Sequence, residues 1–352
     1  KSQTTFSNAS STEISFNFSK GIVKRNVVSV HGKKYSTHFP FKSSDRTEPS
    51  EEARNTFDKC WLKSKTKPQN NGALERVRVV DLFSGCGGMS LGIDEACRSL
   101  GLRADHIFTA ELDPIYAKVY ADNFQPTLQH VGDINSVMPG EIYSPLTVNE
   151  ISLKEKVGNI DILCGGPPCQ GHSDLNNYTR RRDPRNVLYS RMGRAAELFK
   201  PKSIVIENVP GVQRDKTGVF LETIKLLEDI GYCVKIITLD ASFYGVPQAR
   251  KRTFVIALEN YNSHTNFKSV LGQLLVPSPR NTLWALEDTG VGKTEFFKPS
   301  TLSDESKRRV EWLFDNNQHE LPDAFRPDCH RLKNHTYKSV YGRMYADRPA
   351  PT

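Results

Sequence analysis

Between residues 77 and 258, short apolar runs alternate with amphipathic stretches of helix length, and this alternation limits the fold more than any other feature of the sequence. The apolar runs, each typical of a buried strand, include VRVVDLF, HIFTAEL, NIDILCGG, SIVIENV, YCVKIITLD and RTFVIAL. The stretches between them, such as PIYAKVYADNF and VFLETIKLLEDIG, have a helical period. Repeats of strand and helix build a doubly wound sheet. We therefore predict an α/β fold with a Rossmann-like sheet.

The regions on either side of this alternation differ from it in composition. Residues 1–72 are rich in Ser, Thr, Lys and Asn, contain short strand-like pieces without a sustained period, and end in TKPQNNG, which is typical of a linker. After about residue 258 the content of proline, asparagine and charge increases. We predict an N-terminal extension of unassigned role over residues 1–72, a ligand-binding domain over residues 73–258 and a smaller, irregular region over residues 259–352.

Charge and cysteine content limit the function classes. The net charge of +8 favours an anionic partner such as nucleic acid. The seven cysteines form no CxxC pair and are odd in number, which argues against a disulfide framework and against a cysteine-rich metal site. Cys329, His330 and His335 lack a second pair of ligands, so we expect no metal. The longest apolar run is shorter than the roughly 18 residues of a membrane span, so we expect none.

Ligands of doubly wound sheets bind beyond the carboxyl ends of the strands, and several polar residues of this chain follow predicted strands. The glycine-rich turn DLFSGCGGMSLG would let a backbone approach a ligand closely. The third glycine of the dinucleotide fingerprint falls on Ser90, which disfavours NAD and FAD. Glu111 could accept hydrogen bonds from both ribose hydroxyls, and Asp133 from an adenine amino group. Together these residues predict a cofactor that contains adenosine.

Cys169 follows a predicted strand in the order GGPPCQG, in a loop that two prolines stiffen. A free thiol is only a few per cent thiolate at neutral pH, so a nucleophilic role requires positive charge or a proton acceptor nearby. Glu207 ends the strand SIVIE, where partial desolvation favours the protonated acid. The arginines that could supply the charge, each equally compatible with a solvated surface, are Arg180, Arg181, Arg182, Arg185, Arg250 and Arg252.

Four blocks, DLFSGCGG, GGPPCQG, ENV and QARKR, resemble the ordered signature blocks of the DNA cytosine-5 methyltransferases. The resemblance extends from about Val77 to Ala257, and four blocks in the family's order are far more specific than any single one. It implies that S-adenosylmethionine is the cofactor of the domain over residues 73–258. The cofactor-binding residues that it implies are Phe83, Gly85, Gly87, Gly88, Glu111, Asp133, Ile134, Pro168 and Leu188.

The resemblance also implies the roles of the catalytic residues. The Cys169 thiolate would add to C6 of cytosine, which allows C5 to accept a methyl group, and Glu207 would protonate N3. Arg250 and Arg252 would hold the base, which must be flipped out of the DNA duplex. The expected contacts with DNA are made by Arg180, Arg181, Arg182, Arg185 and Gln248.

The sequence beyond residue 258 resembles the family less closely. Residues 259–352 fall where the family places its target-recognition region, which varies so widely that the recognised DNA sequence cannot be named. YGRMYADRPAPT is similar to the stretch just before the family's last two blocks, and neither block is present. We therefore expect the sequence to be truncated at both ends and to bind the cofactor poorly by itself.

Other functions are compatible with parts of this pattern. A transfer-RNA cytosine-5 methyltransferase has the same fold, although QGHSDLN differs from the usual form of that branch. A catalytically silent DNA-binding regulatory homologue is disfavoured because Cys169, Glu207 and both arginines of QARKR are retained, although the absence of the last blocks could silence this chain. A dehydrogenase is disfavoured by Ser90.

The resemblance also predicts the partner and the setting. We expect a monomer that binds double-stranded DNA. Because no chromatin-reading domain is visible, we favour a bacterial enzyme of a restriction-modification system or an orphan bacterial enzyme. Such a protein would be cytoplasmic and associated with the nucleoid, whereas a eukaryotic enzyme would be nuclear.

Overall fold

The computed structural model describes a set of segments with gaps between them, and for residues 9–40 it describes the backbone alone. The described residues are 9–17, 22–29, 34–40, 58, 75–168, 188–259, 267–272, 274–276, 279–286, 301–326, 331 and 342–351.

The chain divides into two compact units. The first unit comprises Lys1–Ile237 and Thr253–Tyr261, and the second comprises Thr238–Arg252 and Asn262–Thr352. Our division at residue 258 groups residues 238–252 with the sheet domain, whereas the structure groups them with the second unit. One reason for this grouping is that Gln248–Ala249 pairs with Ala350–Pro351, a strand about a hundred positions later in the chain.

The secondary-structure elements follow one another along the chain in this order. The strands are β1 (Ala9–Asn17), β2 (Ile22–Ser29), β3 (Lys34–Pro40), β4 (Arg76–Leu82), β5 (Arg103–Glu111), β6 (Leu128–Val131), β7 (Ile162–Gly165), β8 (Ser203–Asn208), β9 (Cys233–Asp240), β10 (Gln248–Ala249), β11 (Lys251–Leu258) and β12 (Ala350–Pro351). The helices are α1 (Gly88–Ser99), α2 (Pro114–Phe124), α3 (Val148–Val157), α4 (Ser190–Phe199), α5 (Val219–Asp229), α6 (Phe267–Gly272), α7 (Thr282–Leu286) and α8 (Asp304–Asp315).

The central sheet has seven strands in the order β6-β5-β4-β7-β8-β11-β9. β4 pairs in parallel with both β5 and β7, β5 with β6, and β7 with β8, while β11 runs antiparallel to β8. The chain leaves β4 toward β5 and β6 and then returns to β7 on the other side of β4. This reversal is the point at which such sheets bind ligands. The predicted doubly wound α/β fold is confirmed.

The sheet forms because its strands are apolar on both faces and helices cover them. Val80, Leu82, Leu163 and Ile204 are fully buried between these layers. Burying each such side chain contributes about 1.5–3 kcal/mol relative to leaving it in water. The apolar runs of the sequence therefore correspond to the core strands.

Local capping determines where the helices begin. α2 begins at Pro114, whose fixed φ suits the first turn, and the side chain of Asp113 accepts a hydrogen bond from the amide of Ile115 at 2.8 Å. α3, which the sequence analysis does not predict, begins with a capping box in which Thr147 and Glu150 each bind the other's backbone amide.

β1, β2 and β3 form a separate three-stranded antiparallel sheet in the order β1-β2-β3. Each strand pairs with its neighbour in sequence. The strand-like pieces of the N-terminal extension thus form a sheet of their own.

The second unit contains the short parallel pair of β10 and β12 and the helices α6, α7 and α8. The rings of His319 and Tyr345 stack at 3.8 Å between centroids, and Thr282 donates a backbone hydrogen bond to the carbonyl of Arg348. Of the helices that the structure describes, all are too short or too polar to cross a membrane.

Candidate active site

The loop after β4 has an unusual backbone. Phe83 has a φ of 56°, and Gly85 and Gly87 have φ values of 53° and 90°, so three of five successive residues occupy the left-handed region. This region is costly for a residue with a Cβ atom and is seen at functional turns. Phe83 also packs part of its ring against the core of the sheet, which helps to hold the loop in this conformation.

The three glycines of the loop have different local reasons to be glycine. A Cβ atom on Gly87 would lie 2.2 Å from the ring of Phe124, so packing against α2 requires this glycine. Cβ atoms on Gly85 and Gly88 would have no heavy atom within 4 Å, so the loop faces open space at these two positions. The predicted close approach of a ligand therefore suits Gly85 and Gly88, while Gly87 is explained by the fold.

Glu111, at the end of β5, connects its strand to this loop. Its Oε2 atom accepts a hydrogen bond from the amide of Gly85 at 2.8 Å, and its Oε1 atom accepts one from the amide of Asp113 at 2.9 Å. The next side chain, Leu112, is 71% exposed. A large apolar side chain with this exposure, next to a carboxylate at the end of a strand, suits contact with a flat apolar ligand. Leu112 is not among the predicted cofactor-binding residues, although its place directly after Glu111 in the sequence was a signal for it.

Asp133 and Ile134 lie at the end of the next strand, β6. The Oδ1 atom of Asp133 accepts hydrogen bonds from the backbone and side-chain nitrogens of Asn135, each at 2.9 Å, so Asp133 caps the short helix that follows. Asp133 is exposed, whereas the side chain of Ile134 is buried in the core. A ligand at this edge would therefore meet the Asp133 side chain and the backbone of Ile134.

Glu207 lies beside the beginning of the cysteine loop. A Cβ atom on Gly166 would be 3.4 Å from the Oε2 atom of Glu207, and the side chain of the neighbouring Asn208 donates to the carbonyl of Pro167 at 3.3 Å. The structure thus brings the predicted acid next to the two residues that precede Pro168. Cys169 itself lies outside the described residues, as do Arg180, Arg181, Arg182 and Arg185.

Pro168 and Leu188 are the described residues on either side of that segment. Both are half-buried, and Leu188 packs against the core directly before α4 begins. Both ends of the segment are therefore held by the sheet domain.

A chain of hydrogen-bonded polar groups, all buried except the partly exposed Asp94, joins β4, α1, β5 and α2. Asp94, His106, Tyr120, Ser90 and Asp81 are joined by successive side-chain distances of 2.9, 3.1, 2.8 and 2.7 Å. Burial raises the pKa of Asp81 to about 6, although hydrogen bonds from Ser90 and Cys164 act in the opposite direction.

Cys164 is fully buried beside Asp81, at the end of β7. Burial, and next the charge of Asp81, raise the pKa of its thiol. A thiol held protonated in the core is not a nucleophile, so the role of Cys164 is structural.

A second buried network is centred on Arg194, a residue of α4, and no pattern in the sequence predicts it. Arg194 donates from Nε and Nη2 to the two carboxylate oxygens of Glu150, at 2.9 and 2.7 Å, and from Nη1 to Glu197 at 2.9 Å. Burial raises the pKa of Glu150, but hydrogen bonds from Arg194 and Thr147 outweigh burial and lower it to about 2.

Arg191 extends this network by donating to the carbonyls of Met138 and Gly140, at 3.0 and 2.6 Å. Arg194 likewise donates to the carbonyls of Ser144 and Pro145, at 2.8 and 2.9 Å. The two arginines therefore tie α4 to the segment between β6 and α3.

Three predicted residues lie in the second unit. Gln248 pairs through its backbone with Ala350, the carbonyl of Arg250 accepts from the amide of Ala241, and Arg252 donates to the carbonyl of Lys251 at 2.7 Å. Their predicted roles on the base and on DNA stay predictions.

Metal ligands are clustered nowhere in the part of the chain that the structure describes: no three His, Cys, Asp or Glu side chains there could together hold an ion. Cys329, His330 and His335 lie outside that part.

Residues 77–342 match the family described as C-5 cytosine-specific DNA methylase. Type II methyltransferase M1.BsuMI of Bacillus subtilis (strain 168) is 44% identical over 330 residues, which are 93% of this chain and 76% of that protein. Type II methyltransferase M1.HphI of Haemophilus parahaemolyticus is 30% identical over 283 residues, 77% of this chain and 68% of that protein.

Among solved structures, a prophage-encoded protein of E. coli described as a DNA modification methyltransferase aligns with a TM-score of 0.52 and 24% identity, over 78% of this chain and 82% of that chain. This likeness supports the fold. The match over residues 77–342 and the close relative in Bacillus subtilis confirm the sequence resemblance. The chain belongs to the C-5 cytosine-specific DNA methylases, and it is a DNA cytosine-5 methyltransferase.

Proposed function

We propose that this chain transfers a methyl group from S-adenosylmethionine to C5 of a flipped-out cytosine in double-stranded DNA, with Cys169 as the nucleophile. The observation that carries the proposal is the position of Glu207, whose Oε2 atom lies 3.4 Å from a Cβ atom built on Gly166. Gly166 is three residues from Cys169 in the sequence. Glu207 lies at the end of β8, and Cys169 follows the neighbouring strand β7 by four positions in the sequence. An acid and a thiol are the pair that addition to a pyrimidine requires.

The described residues around the glycine loop fit S-adenosylmethionine. Each oxygen of Glu111 accepts one backbone hydrogen bond and keeps a further lone pair, with which it could accept from the hydroxyls of a ribose. The exposed Leu112 offers an apolar surface to a purine. The amino end of α1 faces open space at Gly88, and the partial positive charge of a helix end favours a carboxylate there. When bound, S-adenosylmethionine supplies an electrophilic methyl group.

The protein groups would act on the cytosine in sequence. The Cys169 thiolate adds to C6, and the electron density displaced toward N3 is neutralised as Glu207 shares its proton with that atom. The enriched C5 is then able to accept the methyl group. A base such as water then takes the C5 proton, the Cys169 thiolate is eliminated from C6, and N3 returns its proton to Glu207, which restores the aromatic ring and releases the enzyme.

Positive charge near Cys169 would serve both the thiol and the DNA. Arg180, Arg181 and Arg182 follow the cysteine by eleven to thirteen positions, and arginine stabilises a thiolate as well as binding phosphate. The phosphate contacts would help to offset the few kcal/mol that unstacking the base costs. Arg250, Arg252 and Gln248 are proposed to hold the base and its neighbours.

The test is covalent trapping on DNA that contains 5-fluorocytosine, in the presence of S-adenosylmethionine. Because fluorine at C5 cannot leave as a proton does, the thiol adduct should accumulate and be retained in denaturing gels. Cys169→Ala should abolish the adduct, whereas the matched change Cys233→Ala, at another thiol on β9, should leave it unchanged. An adduct that survives Cys169→Ala would refute the proposed nucleophile.

The same assay separates the alternatives. Adduct formation on transfer RNA that carries 5-fluorocytosine, without any on DNA, would favour the RNA substrate. DNA binding without an adduct on either polymer would favour a silent regulatory homologue. Glu207→Gln should slow adduct formation on DNA by about 100-fold or more, as is typical for the loss of a general acid.

A bacterial restriction-modification setting is the proposed context, with the protein cytoplasmic and monomeric. The support is the identity of 44% with a Bacillus subtilis protein named as a Type II methyltransferase. Bisulfite sequencing of DNA from a host that expresses the chain should then show methylation confined to one short sequence. Methylation spread without regard to sequence would contradict this setting.

A further inference from the structure

The positive charge of the chain is concentrated in its N-terminal extension. Residues 1–72 contain 13 of the 48 Lys and Arg residues and 6 of the 40 Asp and Glu residues. This fifth of the chain therefore has a net charge of +7, against +8 for all 352 residues. The methyltransferase fold and the C-terminal region together are close to neutral.

The extension includes the three-stranded sheet of β1, β2 and β3, whose register separates its residues into two faces. Directly paired residues share a face, and the faces alternate along each strand. One face holds Ile14, Phe16, Val23, Val27, Tyr35 and Phe39 together with Arg25 and three small hydroxyl residues. The other holds Ser11, Glu13, Ser15, Asn17, Ile22, Lys24, Asn26, Val28, Lys34, Ser36, His38 and Pro40. The sheet is thus apolar on one face and polar on the other.

The basic residues of the polar face are spaced along the sheet. Lys24 pairs with His38, and Lys34 pairs with Val28. Because Val28 is four residues beyond Lys24 on β2, Lys34 lies four register positions along the sheet from Lys24. Four residues of strand span about 13 Å, since each rises about 3.3 Å. Phosphates on one DNA strand recur at about 3.4 Å of helix axis, so the two lysines are far enough apart to meet different phosphates.

The sheet belongs to the same compact unit as the methyltransferase sheet, and β1 approaches α1 closely. The family match begins at residue 77, after the extension. The alignment with M1.BsuMI covers 93% of the chain, so it must include most of the residues before 77. The extension is therefore shared with that relative and is not part of the common catalytic domain.

We propose that the polar face of the β1-β2-β3 sheet binds the phosphate backbone of duplex DNA, through Lys24 and Lys34, outside the base pair that is methylated. The proposal rests on the proposed function, because it takes the methylated DNA as the partner. The surface carries only positive and neutral groups apart from Glu13. It would add affinity without reading the sequence, since phosphate contacts position a protein and base contacts specify the site.

The test is the salt dependence of DNA binding by the full chain. Each lost phosphate contact should reduce the magnitude of the slope of log K against log salt by about 0.9. In the double variant Lys24→Gln with Lys34→Gln, the magnitude of the slope should therefore decrease by about 1.8. If the contacts contribute nothing at 1 M salt, the affinity at 0.1 M salt should decrease about 8-fold for each lysine replaced. The probe is a random-sequence duplex of about 30 base pairs, followed by fluorescence anisotropy.

The matched control is Lys154→Gln with Lys156→Gln, because both are exposed lysines on α3. The carboxyl end of α3 leads to the amino end of β7, the edge of the sheet opposite to the site. An unchanged slope in the control and a reduced slope in the sheet variant support the proposal. An equal reduction in both, or none in the sheet variant, overturns it.

Two further measurements separate causes. Lys24→Arg with Lys34→Arg keeps the charge and should keep the slope; if this variant also loses it, the effect is structural and the proposal is wrong. At saturating DNA, the Gln variant should methylate at the wild-type rate, with a raised KM for DNA only. If the chain failed to methylate DNA at all, the proposed function would fail, while the binding slopes would still decide this inference.

Discussion

The change Gly140→Ala should be strongly destabilising, although it adds a single methyl group. The Cβ atom would lie 2.2 Å from Nη2 of Arg194 and 2.6 and 2.7 Å from the two carboxylate oxygens of Glu150. Those two side chains are 1% and 0% exposed and form a bidentate ion pair. The methyl group would have to separate two charges that cannot reach water.

The magnitude follows from the burial of the pair. Breaking a buried ion pair costs about 3–5 kcal/mol, because the desolvated charges lose their compensation. A domain is stable by only about 5–15 kcal/mol, so this is a large share of the total. At about 2–4 °C per kcal/mol for a domain of this size, Tm should fall by about 6–20 °C.

The assay is thermal and urea unfolding of the full chain, with Gly92→Ala as the matched control. Gly92 lies within α1, and a Cβ atom there would meet no heavy atom within 4 Å. The same substitution should therefore stabilise the protein by about 0.5–1 kcal/mol, by removing a glycine from a helix.

A double-mutant cycle identifies the cause. In a background with Arg194→Met and Glu150→Met, Gly140→Ala should cost much less, because the charges it separates are gone. A fall in Tm for Gly140→Ala of less than about 2 °C, or an equal fall in that background, would refute the reasoning.

Further predictions concern pH, the cofactor and the sheet. Because burial raises the pKa of Asp81 to about 6, the folded state holds this proton more tightly than the unfolded state, and stability should fall as pH rises from about 4 to 6. The free energy of unfolding should decrease by up to about 3 kcal/mol over this range in the wild type, and Asp81→Asn should abolish that decrease, as measured by urea unfolding at several pH values. Glu111→Ala should weaken S-adenosylmethionine binding about 10- to 100-fold in calorimetry, by leaving the amide of Gly85 without its acceptor. Gly165→Ala should destabilise the fold by about 1–3 kcal/mol in urea, since a Cβ atom there would lie 2.6 Å from the carbonyl oxygen of Leu82 on the paired strand.

Each of these has an outcome that would contradict it. Equal pH dependence of stability in wild type and Asp81→Asn would show that Asp81 does not titrate in this range. Unchanged cofactor affinity in Glu111→Ala would mean that the cofactor binds elsewhere. Glu111→Gln, which keeps one acceptor oxygen, should weaken cofactor binding less than Glu111→Ala does. Wild-type stability of Gly165→Ala would mean that β4 and β7 can separate without cost.

Most helices and strands of the sheet domain could be predicted from local patterns in the sequence. The predicted helix PIYAKVYADNF matches α2, Pro114–Phe124, because proline and an aspartate cap mark its beginning. The six predicted strands correspond to β4, β5, β7, β8, β9 and β11, since apolar runs of strand length between turns are visible without any partner. α3 was not predicted, because its apolar positions are few and its capping box is the main signal.

The candidate site divides in the same way. Glu111, Asp133 and Glu207 could be predicted as candidates because each lies at or just after the end of a strand, and the carboxyl ends of parallel strands share one edge of the sheet. Strand order and direction were not predictable from local patterns: β11 runs antiparallel to β8, although its apolar sequence resembles that of β4, β7 and β8, which are parallel to one another.

The sequence by itself determined the elements, the fold class and the family, because periodicity and short ordered blocks are properties of neighbouring residues. The tertiary structure alone decided which distant groups meet. Arg194 lies 44 positions from Glu150 and 54 from Gly140, and Asp81 and Cys164 lie on different strands. The pKa of a buried carboxyl or thiol depends on the atoms that folding places around it. Whether a position requires glycine depends on such atoms as well. Those atoms come from elsewhere in the chain, so no local pattern records them.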